Sequence, residues 1–225
     1  MISHEELKAK HRRMRVDAPV DFAVRTHRAI SWVKCAQQHG ADLDLKFLCL
    51  WIAFNAAYAR QLDFSDGRTP EKMQVDSFFD KLCQLDEGDR IYNAIWQEFP
   101  GPLRTLFRNK FVFKEFWLYK EGKRSKSEWK YRFKADRSNF KRAVRRKQTW
   151  RVLTLLFARL YLLRNQLVHG AATHGSGINR QQVRDSAAIL AVLVPTFIDI
   201  VLENPLEDWG SPSFPVLHEE EPPLA

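Results

Sequence analysis

The sequence predicts an all-α protein, and three observations predict it. Apolar residues recur three and four apart in several long segments, as one face of a helix requires. No segment alternates polar and apolar residues convincingly, as a half-buried strand would. Prolines and glycines mostly punctuate the periodic segments, where they start and stop helices.

With 225 residues, 45% of them hydrophobic, the chain is long enough for one sizeable core. Residues 1–203 read as a single helical domain. Residues 204–225, with five prolines and three consecutive glutamates, read as a low-regularity C-terminal tail.

Along the chain, residues 1–16 are polar and basic and read as an arm or a frayed helix start. Pro19 suits a first helical turn, Phe22, Ile30 and Val33 share an apolar side, and His39-Gly40 closes a helix ending at Gln38. A second helix, capped by Asp42 or Asp44, is expected over Lys46–Gln61, where Leu50, Trp51, Phe54 and Tyr58 surround the polar Asn55. Ser65-Asp66-Gly67 reads as a turn and Thr69-Pro70-Glu71 as a helix start, with short helices to about Glu98. Phe99-Pro100-Gly101-Pro102 reads as a break. Leu103, Leu106, Phe107 and Phe111 then predict a helix to about Tyr119.

Trp150–Val168 is apolar on nearly all sides, as expected of a helix buried in a bundle or a dimer interface, and His169-Gly170 ends it. After the loop Gly170–Gly177, Asn179 with Gln182 reads as a capping box and Ile178 with Val183 as a hydrophobic staple. The last helix is expected from Arg180 to about Leu202, bent at Pro195.

Within it, Ala187–Ile198 is nearly all apolar but holds Pro195 and meets Asp199 at once, short of the roughly 20 residues a membrane span needs. A core helix is expected, and no membrane. MISHEELKAKHRRMR lacks the apolar run of a secretory signal. Cys35, Cys49 and Cys83 are odd in number and sit in apolar segments, which points to neither a disulfide framework nor a zinc site. A cytoplasmic protein is expected.

Charge points to a polyanionic partner, nucleic acid first. The 36 Lys and Arg exceed the 27 Asp and Glu by nine. Residues 120–147 alone hold 13 Lys and Arg against Glu121, Glu128 and Asp136, so the rest of the chain is close to neutral. Trp129, Tyr131, Phe133 and Phe140 interleave these cations, a composition suited to gripping phosphates and stacking bases. Arg142, Arg145, Arg146 and Lys147, with Lys130 and Arg132, are the expected RNA contacts.

Arg164-Asn165-Gln166-Leu167-Val168-His169 carries the candidate chemistry. Cleaving RNA without a metal requires a base for the 2′-hydroxyl, an acid for the leaving oxygen and a cation for the charge growing on phosphate. The His169 imidazole can serve as base or acid, Arg164 can fork two hydrogen bonds to phosphate, and Asn165 can orient either. The bare Arg-to-His spacing is weak evidence; the asparagine after the arginine makes it informative. On an ideal helix Asn165 and His169 share a face, whereas Arg164 points about 140° from His169. A two-fold partner bringing a second copy alongside resolves that angle, so a composite dimer site is expected. Asn55 and His174 are secondary candidates as supporting residues. No phosphate-cradling glycine loop, serine elbow or metal-ligand cluster stands out, so neither a metal nor another cofactor is expected.

RNQLVHG resembles the signature of the HEPN superfamily, whose ribonuclease members carry an arginine, a polar residue and a following histidine; the match falls on Arg164, Asn165 and His169. FLCLWIAFNAAYAR is similar to the first core helix of Apea-like HEPN proteins, and NRQQVRDSAAIL with LVPTFIDIVLENP to their final helix, so the resemblance spans roughly Val24 to Trp209. It implies a HEPN-like helical bundle that dimerises through the motif-bearing helix. It also implies metal-independent endoribonuclease activity in toxin, phage-defence or RNA-processing roles, with an antitoxin or regulatory partner in some settings. Some members only bind RNA, which is the alternative function. The tyrosine that small toxin members place two residues after the histidine is Ala171 here.

Overall fold

The computed structural model describes residues 2–60 and 71–214. The expected turn at Ser65-Asp66-Gly67, the Thr69-Pro70 helix start and the tail beyond 214 lie outside the described residues. Helices and their connections make up what is described, with one isolated backbone bridge between Arg60 and Pro212.

The residues read as an arm form α1 (His4–Met14). Ser3 and Glu6 close a capping box, with the Ser3 hydroxyl accepting from the Glu6 N–H and the Glu6 carboxylate from the Ser3 N–H. The inward side of α1 is Leu7 flanked by buried His4 and His11, too polar to register as an apolar stripe. Helices α2 (Val20–Gln38) and α3 (Leu43–Tyr58) pack as a hairpin. Asp42 caps α3 by accepting from the N–H groups of Asp44 and Leu45, so α3 starts earlier than its apolar run. The thiols of Cys35 and Cys49 meet across this hairpin, 3.2 Å apart.

Helix α4 (Glu71–Leu85) follows, then α5 (Arg90–Asn93), which runs into a π-helical turn at Ala94–Glu98. Pro100 does not break the chain. It opens α6 (Pro100–Arg108), because a first-turn residue needs no N–H partner inside the helix. The single helix expected to Tyr119 is divided. Asn109 accepts from the Phe111 N–H at 2.7 Å and sets a 3₁₀ turn at Lys110–Val112 before α7 (Lys114–Lys120). Helices α8 (Lys126–Arg145) and α9 (Thr149–Val168) form a second hairpin, and α10 (Arg180–Glu203) ends the bundle.

The capping box and staple expected before α10 do not form. Asn179 sits in the left-handed region at φ 57°, caps nothing with its side chain, and sends its amide to Gln166 instead; Ile178 stays exposed. Beyond α10, residues 204–214 lie against the bundle: Trp209 is buried and its indole N–H donates to the Asn204 carbonyl.

Helix α10 is long and apolar enough to cross a membrane by composition, but 83% of its apolar window is buried among the other helices. Around it, Phe54 of α3, Phe79 of α4, Phe157 of α9 and Phe197 of α10 meet with ring centroids 4.5–6.3 Å apart. Aromatics at such separations add edge and stacking contacts to the area they bury.

Two buried arginines tie the periphery to this core. Arg25 donates to the carbonyls of Ala57, Ala59 and Gly210, closing the end of α3 onto the C-terminal segment, and burial pulls its pKa down to about 10. Arg159, 3% exposed, pairs with Asp136 of α8, donates to the Val112 carbonyl, and lies 4.4 Å from the centroid of the Phe113 ring. One guanidinium thus joins α8, α9 and the segment between α6 and α7. We expect Arg159→Leu to lower unfolding free energy by about 3 kcal/mol, since it strands a partly buried carboxylate. Chemical denaturation against the parent protein measures this.

His11 donates from Nε2 to the Ala23 carbonyl, and burial lowers its pKa below the ordinary value of 6.5. The unfolded chain therefore takes up the proton first, so stability falls as pH drops below 6.5 towards the folded-state pKa. A His11→Gln variant should show a flatter stability profile over that acidic window, read from denaturation midpoints.

Candidate functional site

The motif lies at the C-terminal end of α9. Val152, Leu153, Leu156, Phe157, Leu160 and Leu163 face the core, so at about 100° per residue Tyr161, Asn165, Val168 and His169 fall on the outward side. Exposure follows this angle, with Tyr161 43% and Val168 49% exposed and His169 open to solvent. Gly170, at φ +67°, takes the left-handed turn that ends the helix, and the Ala171 N–H closes it onto the Gln166 carbonyl.

Arg164 leaves the helix on a different side from His169, yet its guanidinium swings back to donate to Asn165 Oδ1 at 3.0 Å. Arg164 and Asn165 are thereby joined within one chain. The His169 imidazole makes no hydrogen bond among the described residues; only its backbone N–H is engaged, by the Asn165 carbonyl at 3.0 Å. The arrangement therefore offers a preset cation–amide pair and, one turn on, an accessible imidazole.

Gln166 fixes this helix end. Its amide donates to the Phe111 carbonyl at 2.7 Å and its oxygen accepts from Asn179 at 2.9 Å. A second clasp holds the loop that follows. Asp44, buried near the start of α3, accepts from Arg180 and from the Gly175 N–H, at 2.6 and 2.8 Å. His174, placed by sequence among the supporting residues, is engaged by Asp42 at 2.6 Å. Asp42's carboxyl is held below its usual pKa, first by the Leu45 N–H and then by His174.

Asp42, Asp44 and His174 offer donors of a type that hold divalent cations, all within 4.8 Å of one another. The oxygens of Asp44 already serve Arg180 and Gly175, and those of Asp42 serve the α3 cap and His174. The cluster is an ion-paired clasp. The clasping roles of Gln166 and Asp44 were not legible in the sequence, since nothing in their spacing marks a partner 55 or 136 residues away.

Asn55 is not brought to the motif. It sits twelve residues beyond the start of α3, about 18 Å along the helix from the clasp, and its side-chain oxygen is buried without a partner.

The expected RNA contacts are all exposed on or just after α8, but not together. Arg142, Arg145, Arg146 and Lys147 lie at the turn into α9, so the length of that helix, about 28 Å, separates them from His169. Lys147 reaches over the Tyr92 ring. Arg132 sits 3.6 Å from Glu115, and Lys130 is exposed without an ion pair among the described residues. The aromatics read as a base-stacking set mostly turn inward. Phe140 stacks on Phe107 at 3.8 Å, Trp129 and Phe133 pack on Phe116 and Phe113, and Tyr131 alone is largely exposed. An amphipathic helix buries the aromatics on its core side whatever its charge.

Compared with protein-family models, curated proteins and solved structures, the chain matches none.

The clasp yields a test. Asp44→Ala should cost about 2 kcal/mol by leaving Arg180 and the Gly175 N–H without their carboxylate. Hydrogen exchange should then quicken over 170–179 more than over α9 itself.

Proposed function

We propose that this protein is a HEPN-like, metal-independent endoribonuclease acting as a homodimer. The observation that carries the reading is the Arg164–Asn165 pair one turn from a solvent-open His169, on an outward helix face bearing Tyr161 and Val168. His169 takes the proton of the 2′-hydroxyl, the 2′-oxygen attacks phosphorus, and the bond to the 5′-oxygen breaks. Arg164, steadied by Asn165, neutralises the charge gathering on the phosphoryl oxygens. The departing 5′-oxygen receives its proton from the second copy's imidazole. The products are a 2′,3′-cyclic phosphate and a 5′-hydroxyl. Roles in toxicity or phage defence, with an antitoxin or other regulatory partner, belong to the same reading.

The dimer is supported by two partly exposed apolar side chains, Tyr161 and Val168, on the outward side of α9 near Asn165 and His169. A two-fold contact there brings two motifs together, which the angle between Arg164 and His169 favours. A second reading, an RNA-binding dimer that does not cut, is favoured by a His169 ring that no described residue orients with a hydrogen bond.

Incubation of total RNA with the purified protein in EDTA decides between them. Cleavage that survives chelation, falls at least a hundredfold in His169→Ala and yields cyclic phosphate ends supports the nuclease. Tyr161→Arg should give monomers on light scattering and the same loss. Cleavage that persists unchanged in His169→Ala overturns the assignment, and intact RNA with all three proteins favours the binding module.

A further inference from the structure

Lys126, Lys130, Lys134, Arg137, Lys141 and Arg145 recur on α8 at steps of three and four. At about 100° per residue they fall within one arc of roughly 100°, forming a single stripe from the first turn of α8 to its last, about 28 Å long. The acids of α8 lie off this arc: Glu128 is on the far side and Asp136 is turned towards Arg159. None of the six cations makes an ion pair among the described residues, and five of them are exposed. Unneutralised cations in a row, with the same helix's acids elsewhere, leave a continuous positive potential.

The C-terminal half of the stripe borders a cleft of about 470 Å³ between α6 and α8. Arg104 and Arg108 face it from α6, and its floor is the stacked pair Phe107 and Phe140. Among the described residues no acidic side chain lines it. The N-terminal half leads the other way. Helices α8 and α9 run antiparallel about the turn at 146–148, with Asp136 opposite Arg159, so Lys126 stands level with His169.

We infer that this stripe is a binding track for single-stranded RNA, anchored in the α6–α8 cleft and ending level with the motif. A concave channel with cations on both walls receives a chain. A membrane surface instead calls for several exposed apolar residues beside the cations, and among the described residues of α8 Tyr131 is the one large apolar side chain left exposed there. A cleft of this volume holds a small ligand or one strand, whereas a duplex rests on its rims. At the stacked rise of about 3.4 Å per nucleotide the track spans roughly eight nucleotides. The track rests on RNA being the partner, and does not require that the RNA be cut.

Fluorescence anisotropy with oligouridine of about twelve nucleotides tests it, on His169→Ala protein so that cleavage plays no part. Lys134→Gln with Lys141→Gln, and separately Arg104→Gln with Arg108→Gln, should each weaken binding roughly tenfold. Each should also reduce the slope of log K against log salt by about 1.4, the value for two lost single-strand phosphate contacts. Arg12→Gln with Arg13→Gln, exposed on α1 and off the stripe, should change affinity less than about twofold. An oligomer of about four nucleotides, too short for the track, should bind at least tenfold more weakly. All substituted side chains are exposed, and unchanged thermal melts verify the fold.

Equal losses in the off-stripe and on-stripe variants would show diffuse attraction and overturn the track, as would unaltered affinity in both on-stripe pairs. Vesicles of equimolar phosphatidylcholine and phosphatidylserine provide the other arm. Stripe-dependent vesicle binding with stripe-independent RNA binding assigns these cations to lipid and overturns the inference. Failure of cleavage in EDTA leaves these binding measurements untouched, and failure of the track leaves the cleavage assay untouched.

Discussion

Helix α10 is apolar round nearly its whole circumference, and the rest of the bundle is arranged to cover it. Every exposed apolar side chain costs on the order of 25 cal/mol per Å² of surface left in water, so a long helix of this kind is stable only when wrapped on all sides. The α2–α3 hairpin, α1, α4 and one face of α9 supply the wrapping. Its polar end is managed separately, with Asp199 and Glu203 held by Lys10 of α1 and Arg90 of α5. Because α9 spends its inner face on this core, Asn165, Val168 and His169 are left pointing outward.

That orientation governs the chemistry available to the motif. A buried histidine at the same position would be shielded from a polymer substrate; here the ring is open and the guanidinium is preset against the amide. The helix end is held from both sides, by Gln166 between Phe111 and Asn179 and by Asp44 beneath the following loop. Fixed positions lower the ordering cost of binding, which is how a surface site gains effectiveness without depth. Arg159 acts at longer range, holding α8 to α9 and so setting the direction in which the basic stripe runs relative to the motif.

Helix extents were legible wherever apolar period and capping chemistry agreed: α2, α3, α9 and α10 lie within a few residues of their expected limits. Disagreements have identifiable causes. The apolar side of α1 is partly histidine. Pro100 is a breaker in the middle of a helix and an initiator at its first turn, and local sequence alone does not separate the two. Asn179 has the composition of a cap but adopts a left-handed conformation because Gln166 offers its amide a partner. The motif itself was legible as a pattern, but the partners of Gln166 and Asp44 were not, since they come from distant parts of the chain.

The sequence by itself determined that the chain is helical, that Ala187–Ile198 belongs to a core, and that Arg164, Asn165 and His169 fall at a helix end. Periodicity, apolar run length and glycine placement are local properties and carry that information. Only the tertiary structure decided which face of α9 is outward, that Arg164 meets Asn165, that most aromatics of the basic segment turn inward, and that Arg104 and Arg108 face its C-terminal cations across a cleft. Those outcomes depend on which helix packs against which, and packing is chosen by the whole core at once.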